Sequence, residues 1–243
     1  MPLSVNKIIS RKVYGWWSRL GEVLLPLRCL ICAEPGTNGC DLCAACRAGL
    51  PWKRHACVQC ALPWAERDGP AARCGACLRL AVSPLQQTRA GFVYARPIDG
   101  LVRRFKFHQD LAAGHLLSSL MAEPLRAASL PLAIVPVPLH PARLRQRGYD
   151  QALELARPLA RQLQLPLCHG LRRIRSTAPQ SELDAGARRR NLRGAFVAGR
   201  GLPAHVALLD DVMTTGATLH AAATALRRAG VIRVDAWVCA RVP

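Results

Sequence analysis

Two groups of side chains in this sequence have the types and spacing for chemistry. One is a crowd of nine cysteines between Cys29 and Cys77; the other is an adjacent pair of aspartates, Asp210 and Asp211, closing an apolar run. Eight of the cysteines form C-x-x-C pairs: Cys29/Cys32, Cys43/Cys46, Cys57/Cys60 and Cys74/Cys77. Two residues between thiolates let both sulfurs reach one ion about 2.3 Å away, and two such pairs complete a tetrahedral site. Ten residues separate the first pair from the second and thirteen the third from the fourth, spacings that suit zinc ribbons. Interleaved pairing, first with third and second with fourth, also satisfies the spacing. Cys40 reads as a spare. Redox pairs or plain buried cysteines account poorly for four pairs together. All-cysteine ligand sets leave no open position, so two zinc ions here would be structural. They would supply folding energy that so small a segment cannot draw from a core. Metal rather than disulfide also points to a reducing, cytoplasmic compartment.

The second group is the stretch Leu208-Leu209-Asp210-Asp211-Val212-Met213-Thr214-Thr215-Gly216-Ala217-Thr218. A buried strand, Val206–Leu209, delivers two carboxylates to the C-terminal edge of a parallel sheet, where α/β folds bind ligands. Small and hydroxyl residues then lead into a helix whose free N–H groups and dipole favour phosphate. Carboxylates repel phosphate but accept bonds from sugar hydroxyls, so the pair of features describes a ribose 5-phosphate. A Walker B reading fails because no lysine follows a glycine. A receiver-domain acidic cluster fails because no lysine follows Lys106.

A further set of cations surrounds a stiff segment, Val135-Pro136-Val137-Pro138-Leu139-His140, followed by Arg143, Arg145 and Arg147. A loop at a strand end beside guanidiniums suits pyrophosphate, since arginine offers forked donors to its oxygens. Pro138, Leu139 and His140 are the candidate pyrophosphate loop. Residues 172–193 hold seven arginines against Glu182 and Asp184, a loop able to close over a polyanion or simply a basic surface. Arg147 and Arg188 are the candidates for stabilising a leaving group.

Elements to position these groups follow from hydrophobic periodicity. Residues 1–27 read as an amphipathic helix with Ile8, Ile9, Val13, Trp16, Leu20, Val23 and Leu24 on one face. Residues 28–85 read as a double zinc ribbon and 86–243 as an α/β domain. Strands are expected at Arg89–Ala95, Ala133–Val137, Leu171–Ile174, Val206–Leu209 and Val234–Ala240. Helices are expected at Ile98–Phe107, Leu111–Ala127, Gln151–Leu163 and Thr218–Ala229, with Pro158 bending or dividing the third. Alternating strands and helices mean a mainly parallel sheet. The chain carries 34 Lys+Arg against 15 Asp+Glu, formally +19. That sign favours anionic partners, phosphate metabolites or nucleic acid. No apolar segment is long enough to span a membrane.

The strand, Asp-Asp and Thr-Thr-Gly-x-Thr sequence resembles the phosphoribosyl-pyrophosphate (PRPP) signature of type I phosphoribosyltransferases. By that resemblance Asp210 and Asp211 face the ribose hydroxyls, and Thr214, Thr215, Gly216, Ala217 and Thr218 wrap the 5-phosphate. Together with the cysteine pairs, Val135-Pro136-Val137-Pro138, Arg145-x-Arg147-Gly148-Tyr149, Thr177-x-x-Gln180 and Arg188-x-x-Asn191, the chain resembles the ComF/GntX family. Such proteins join a zinc ribbon to a phosphoribosyltransferase-like domain. The resemblance implies PRPP binding with Mg²⁺, and a role in natural competence, DNA uptake or growth on DNA, with DNA-uptake or recombination proteins as partners. It leaves the acceptor of any phosphoribosyl transfer unnamed. An alternative keeps the fold as a scaffold only, in a non-catalytic single-stranded DNA-binding accessory. One departure is visible: Asp150 stands in Tyr149-Asp150-Gln151 where the family has asparagine, and serves equally well as a helix N-cap. Phe105-Lys106-Phe107 also matches the family; Lys106 reads either as reaching the site or as a solvated helix cation.

Overall fold

Apolar runs without alternation, such as Val206-Ala207-Leu208-Leu209, belong to strands covered on both faces. In the computed structural model all four of these residues are fully buried. The structure describes residues 27–53, 55–64, 72–80, 82–175 and 192–243. The expected helix over 1–27, apart from Leu27, and Arg188 lie outside the described residues. The chain divides between Gly49 and Leu50 into two compact units.

The smaller unit carries helix α1 (Ala44–Ala48), with Cys43 at its N-cap. Knuckle turns surround it: Ala33 N–H donates to Cys29 O at 2.9 Å and Leu30 N–H to Asp41 O at 3.0 Å.

The larger unit opens with the remaining knuckles and helix α2 (Gly75–Leu78). It continues through strand β1 (Gln87–Val93), helices α3 (Ile98–Phe107) and α4 (Leu111–Arg126), and strand β2 (Ala133–Pro136). Helices α5 (Pro141–Arg147) and α6 (Gln151–Leu163) follow, then strands β3 (Leu171–Arg173) and β4 (Phe196–Ala198). Strand β5 (His205–Met213), helix α7 (Ala217–Arg228) and strand β6 (Arg233–Arg241) complete it. The main sheet has the order β1-β6-β5-β2 with every pairing parallel. β3 and β4 form a separate antiparallel pair.

Helix α3 buries Ile98, Leu101, Val102 and Phe105, a one-face spacing. Helix α6 buries Ala152, Leu155, Ala156, Leu159, Ala160 and Leu163 and packs on α4, β2 and β5. Pro158 does not divide this helix, whose packing outweighs one missing N–H. The sheet edge at β1 is covered by the chain that precedes it. Val93 N–H donates to Pro51 O, Lys53 N–H to Gly91 O, and Thr88 N–H to Val58 O, at 2.9, 3.1 and 2.9 Å. Trp52 and Phe92 stack with ring centroids 4.7 Å apart. These bonds satisfy an edge that would otherwise invite association.

Candidate functional site

Strand β5 runs to Met213, four residues beyond its expected end, because β6 pairs with it throughout: Asp210 lies opposite Val238 and Met213 opposite Arg241. Its other neighbour stops sooner. β2 ends at Pro136, opposite Leu209, and Val137 N–H gives the last bond to Leu209 O at 2.9 Å. The two aspartates therefore sit inside the strand, at the step where one flanking strand has ended.

That step gathers charge. Lys106, from the end of α3, reaches Asp211 with Nζ 3.1 Å from Oδ1 and 2.8 Å from Oδ2. The two residues are 105 positions apart. Asp211 is buried, and burial works against the Lys106 charge, yet the Asp211 carboxylate holds its pKa above the usual lysine value. Of the two readings of Lys106, the structure has the one that reaches the site. Asp210 accepts from Asp211 N–H at 2.9 Å. Burial, reinforced by the neighbouring Asp211 charge, pushes the Asp210 carboxyl up to about 7. Lys106 pulls in the opposite direction.

Pro138, Leu139 and His140 are half-buried and follow β2 directly. Asp150 fixes them: one carboxylate oxygen caps α6 by accepting from Leu153 N–H at 3.1 Å, and the other accepts from Leu139 N–H at 3.0 Å. His140 caps α5 through Nδ1, 3.3 Å from Ala142 N. Helix α5 was missed in the sequence, though Pro141 at its first turn after a capping residue is a start signal. It ends at Gly148 in the left-handed region. Arg147 then lies with its guanidinium carbon 5.5 Å from the Phe107 ring centroid. Tyr149 donates its hydroxyl to Phe105 O and tilts its ring against Phe105 at 5.6 Å. Arg173, counted in the sequence only as one member of a basic loop, is buried, packs over the Phe196 ring at 5.5 Å, and senses the Asp210 charge.

Beyond Met213 the chain turns into α7. Thr214 is exposed, Thr215 and Thr218 half-buried, Gly216 and Ala217 buried. Gly216 has φ 75°, a left-handed conformation that calls for glycine, and an added Cβ would also displace the end of the Met213 side chain. Thr215 Oγ1 accepts from Ala217 N–H at 3.4 Å.

The cysteines resolve into two groups, Cys29, Cys32, Cys43 and Cys46, and Cys57, Cys60, Cys74 and Cys77, the ligand atoms of each within 4.8 Å of one another. Sequential pairing is thus adopted over interleaved pairing. The Cys32–Cys43 and Cys60–Cys74 sulfur separations are 3.6 and 3.7 Å. A tetrahedron with 2.3 Å metal–sulfur arms has edges of about 3.8 Å, so the donor sets fit a zinc ion. Cys40 stands outside the first group, its thiol pushed up by burial. In the second group burial raises Cys57, but the amides of Cys74, Cys60 and Gln59 outweigh it and bring the thiol to about 7. That group is fastened to the sheet: Thr88 donates to Gln59 O at 2.7 Å and Arg241 Nε to Cys60 O at 2.9 Å.

A parallel α/β sheet with flanking helices, joined to two four-cysteine knuckle pairs, defines the class. Residues 20–78 match the double zinc ribbon domain. Competence protein F of Haemophilus influenzae is 35% identical, over 88% of this chain and 96% of that one. DNA utilization protein YhgH of Salmonella typhimurium is 34% identical, over 89% and 98%. Competence protein ComFC of Bacillus subtilis is 28% identical over 60% of each chain. The chain belongs to the ComF family. Among solved structures, glutamine PRPP amidotransferase from B. subtilis aligns with 51% of this chain and 26% of its own, at 21% identity and TM-score 0.35. Among the described residues no helix is long and apolar enough to cross a membrane.

Proposed function

We propose that this protein binds PRPP, or a closely related ribose phosphate, in the service of DNA uptake or utilisation. The observation that carries the reading is the joining of Asp210 and Asp211, at the step in the sheet, to the Gly216 turn that opens α7. Asp210 and Asp211 accept from the ribose hydroxyls. Thr214, Thr215, Gly216, Ala217 and Thr218 hold the 5-phosphate through backbone amides and hydroxyls. Pro138, Leu139 and His140 border the pyrophosphate, with Arg147 beside them, and Arg188 completes the cationic cover. Mg²⁺, when bound with the ligand, would supply charge neutralisation to the pyrophosphate. The pairing of Lys106 with Asp211 makes two adjacent acids tolerable in the folded chain. Each four-cysteine group holds one structural zinc. The names of the relatives, competence protein F and DNA utilization protein YhgH, support the DNA role.

A second reading, a single-stranded DNA-binding accessory, draws support from a cleft of about 890 Å³ beside the same turn. Arg193, Arg200, Arg228 and Arg241 line it over an apolar floor that includes Leu62 and Leu192, and no Asp or Glu is among its described lining residues.

Calorimetric titration with PRPP and Mg²⁺, with and without a single-stranded oligonucleotide, tests both. Wild type binds, and the Asp210→Asn/Asp211→Asn double variant loses at least about tenfold in affinity, the worth of one charge-assisted hydrogen bond. Equal PRPP binding by wild type and variant would sink the first reading. Oligonucleotide binding that ignores salt would sink the second, because phosphate contacts are salt-dependent.

A further inference from the structure

Two cations of the larger unit lie away from the aspartates, with no acid paired to either among the described residues. Lys53 lies on the segment that covers the sheet edge, its backbone held by the bond to Gly91 O. Arg89 lies on β1, opposite Trp237 of β6. Both line one cavity of about 210 Å³, together with Ala90, Gly91, Pro124 and Val238. No Asp or Glu is among its described lining residues, and neither cation is in an ion pair among the described residues. Burial lowers the Lys53 pKa, and the Arg89 charge lowers it further. Folding thus holds two like charges together, half out of water, on backbone that hydrogen bonds prevent from moving apart. Such an arrangement costs free energy unless an anion completes it.

We propose that Lys53 and Arg89 form a binding site for a phosphate-type anion, separate from the loop after Asp211. The cavity has the volume of about seven waters. That is below the roughly 300 Å³ at which drug-sized ligands begin to fit. One tetrahedral oxyanion with a few waters fits; a whole nucleotide does not. The donors are complementary: the ammonium acts as a point charge and the guanidinium as a fork that fixes two oxygens. Gly91 lies on the wall, where an added Cβ would come 3.2 Å from Cys239 O, closer than ordinary contact. The anion is either free phosphate or a phosphodiester group of a nucleic-acid strand that passes over the edge.

The test reads Lys53 itself. The chain has four lysines, so competitive acetylation followed by peptide mass spectrometry resolves each. The zinc-loaded full chain is labelled in chloride, in inorganic phosphate at the same ionic strength, and in chloride with a single-stranded oligonucleotide lacking terminal phosphates. An anion that raises the proton affinity of the amine about tenfold lowers its reactive fraction by the same factor. Phosphate is expected to protect Lys53 to that extent, with Lys7 and Lys12 unchanged, and Arg89→Gln to remove most of the protection. Protection by the oligonucleotide supports the site and identifies a phosphodiester as its occupant; protection by phosphate alone identifies the free anion. Identical Lys53 labelling in all three solutions overturns the proposal, as does full protection in Arg89→Gln. The PRPP titration is unaffected by either result, so this site and the one after Asp211 stand or fall separately.

Discussion

The two ends of strands β5 and β6 treat a carboxylate in opposite ways. At the N-terminal end Asp235 is buried and fully engaged: His205 Nε2 lies 2.9 Å from Oδ2, Arg233 Nε donates to Oδ1 at 3.1 Å and its NH2 group to Oδ2 at 3.0 Å. At the C-terminal end Asp210 accepts one backbone N–H, and burial together with Asp211 pushes its carboxyl up to about 7. One acid is satisfied by its own protein. The other has one backbone donor and is only half-buried, open to a further donor. The contrast separates an acid paired within the protein from the acid we propose for a ligand, on strands that pair side by side.

The largest effect expected is at the satisfied end. Asp235→Ala leaves Arg233 and His205 without their anion and costs about 3 kcal/mol, the lower limit for breaking a buried pair, since Arg233 is partly exposed. Urea unfolding measures it, while PRPP affinity stays unchanged. A loss of affinity equal to that of the Asp210 variant would erase the distinction between the ends.

Next comes the opposite sign. Unfolded, the Asp210 carboxyl titrates near its usual 3.8; folded, near 7. Between those values the folded chain binds more protons, so stability declines as pH rises through that window and levels off above it. Asp210→Asn removes the decline and gains on the order of 2 kcal/mol at pH 8, about half of what the full shift would give because Asp210 keeps partial solvent contact, while losing ligand affinity. Unfolding curves from pH 5 to 8 check the slope, and a variant no more stable than wild type at pH 8 contradicts it. Smallest is Lys106→Met, which leaves Asp211 without its cation and costs about 1 kcal/mol. Because Lys106 also lowers the Asp210 pKa, its loss moves the decline to higher pH.

What could be read in the sequence was what depends on local spacing. The C-x-x-C intervals marked both four-cysteine groups, and the unbroken apolar runs marked β2, β5 and β6, because neither needs a distant partner to be recognised. Strand ends were less legible. Val206–Leu209 looked complete, since two acids look like a terminus, and only the pairing of Met213 with Arg241 extends it. Strand β4 escaped notice because Phe196–Ala198 is three residues long and exists through pairing with β3. Within the candidate site, the aspartates and the Gly216 turn were visible as a local pattern. The Lys106 bond to Asp211 was not, because it joins the end of α3 to the last third of the chain. Asp150 was legible as a cap, but its second bond, to Leu139, was not.

The order of strands in the sheet has a consequence in time. β1 ends at Val93, and β6, which pairs with it, begins at Arg233. At roughly 5–20 residues per second, a ribosome delivers β6 on the order of ten seconds after β1. Through that interval one side of β1 waits as an open edge. The other side does not, because Pro51, Lys53 and Val58, which bond to it, are made first. The segment from Pro51 to Val58, which leads into the second cysteine group, thus shields half of a strand whose true neighbour is among the last parts to be synthesised.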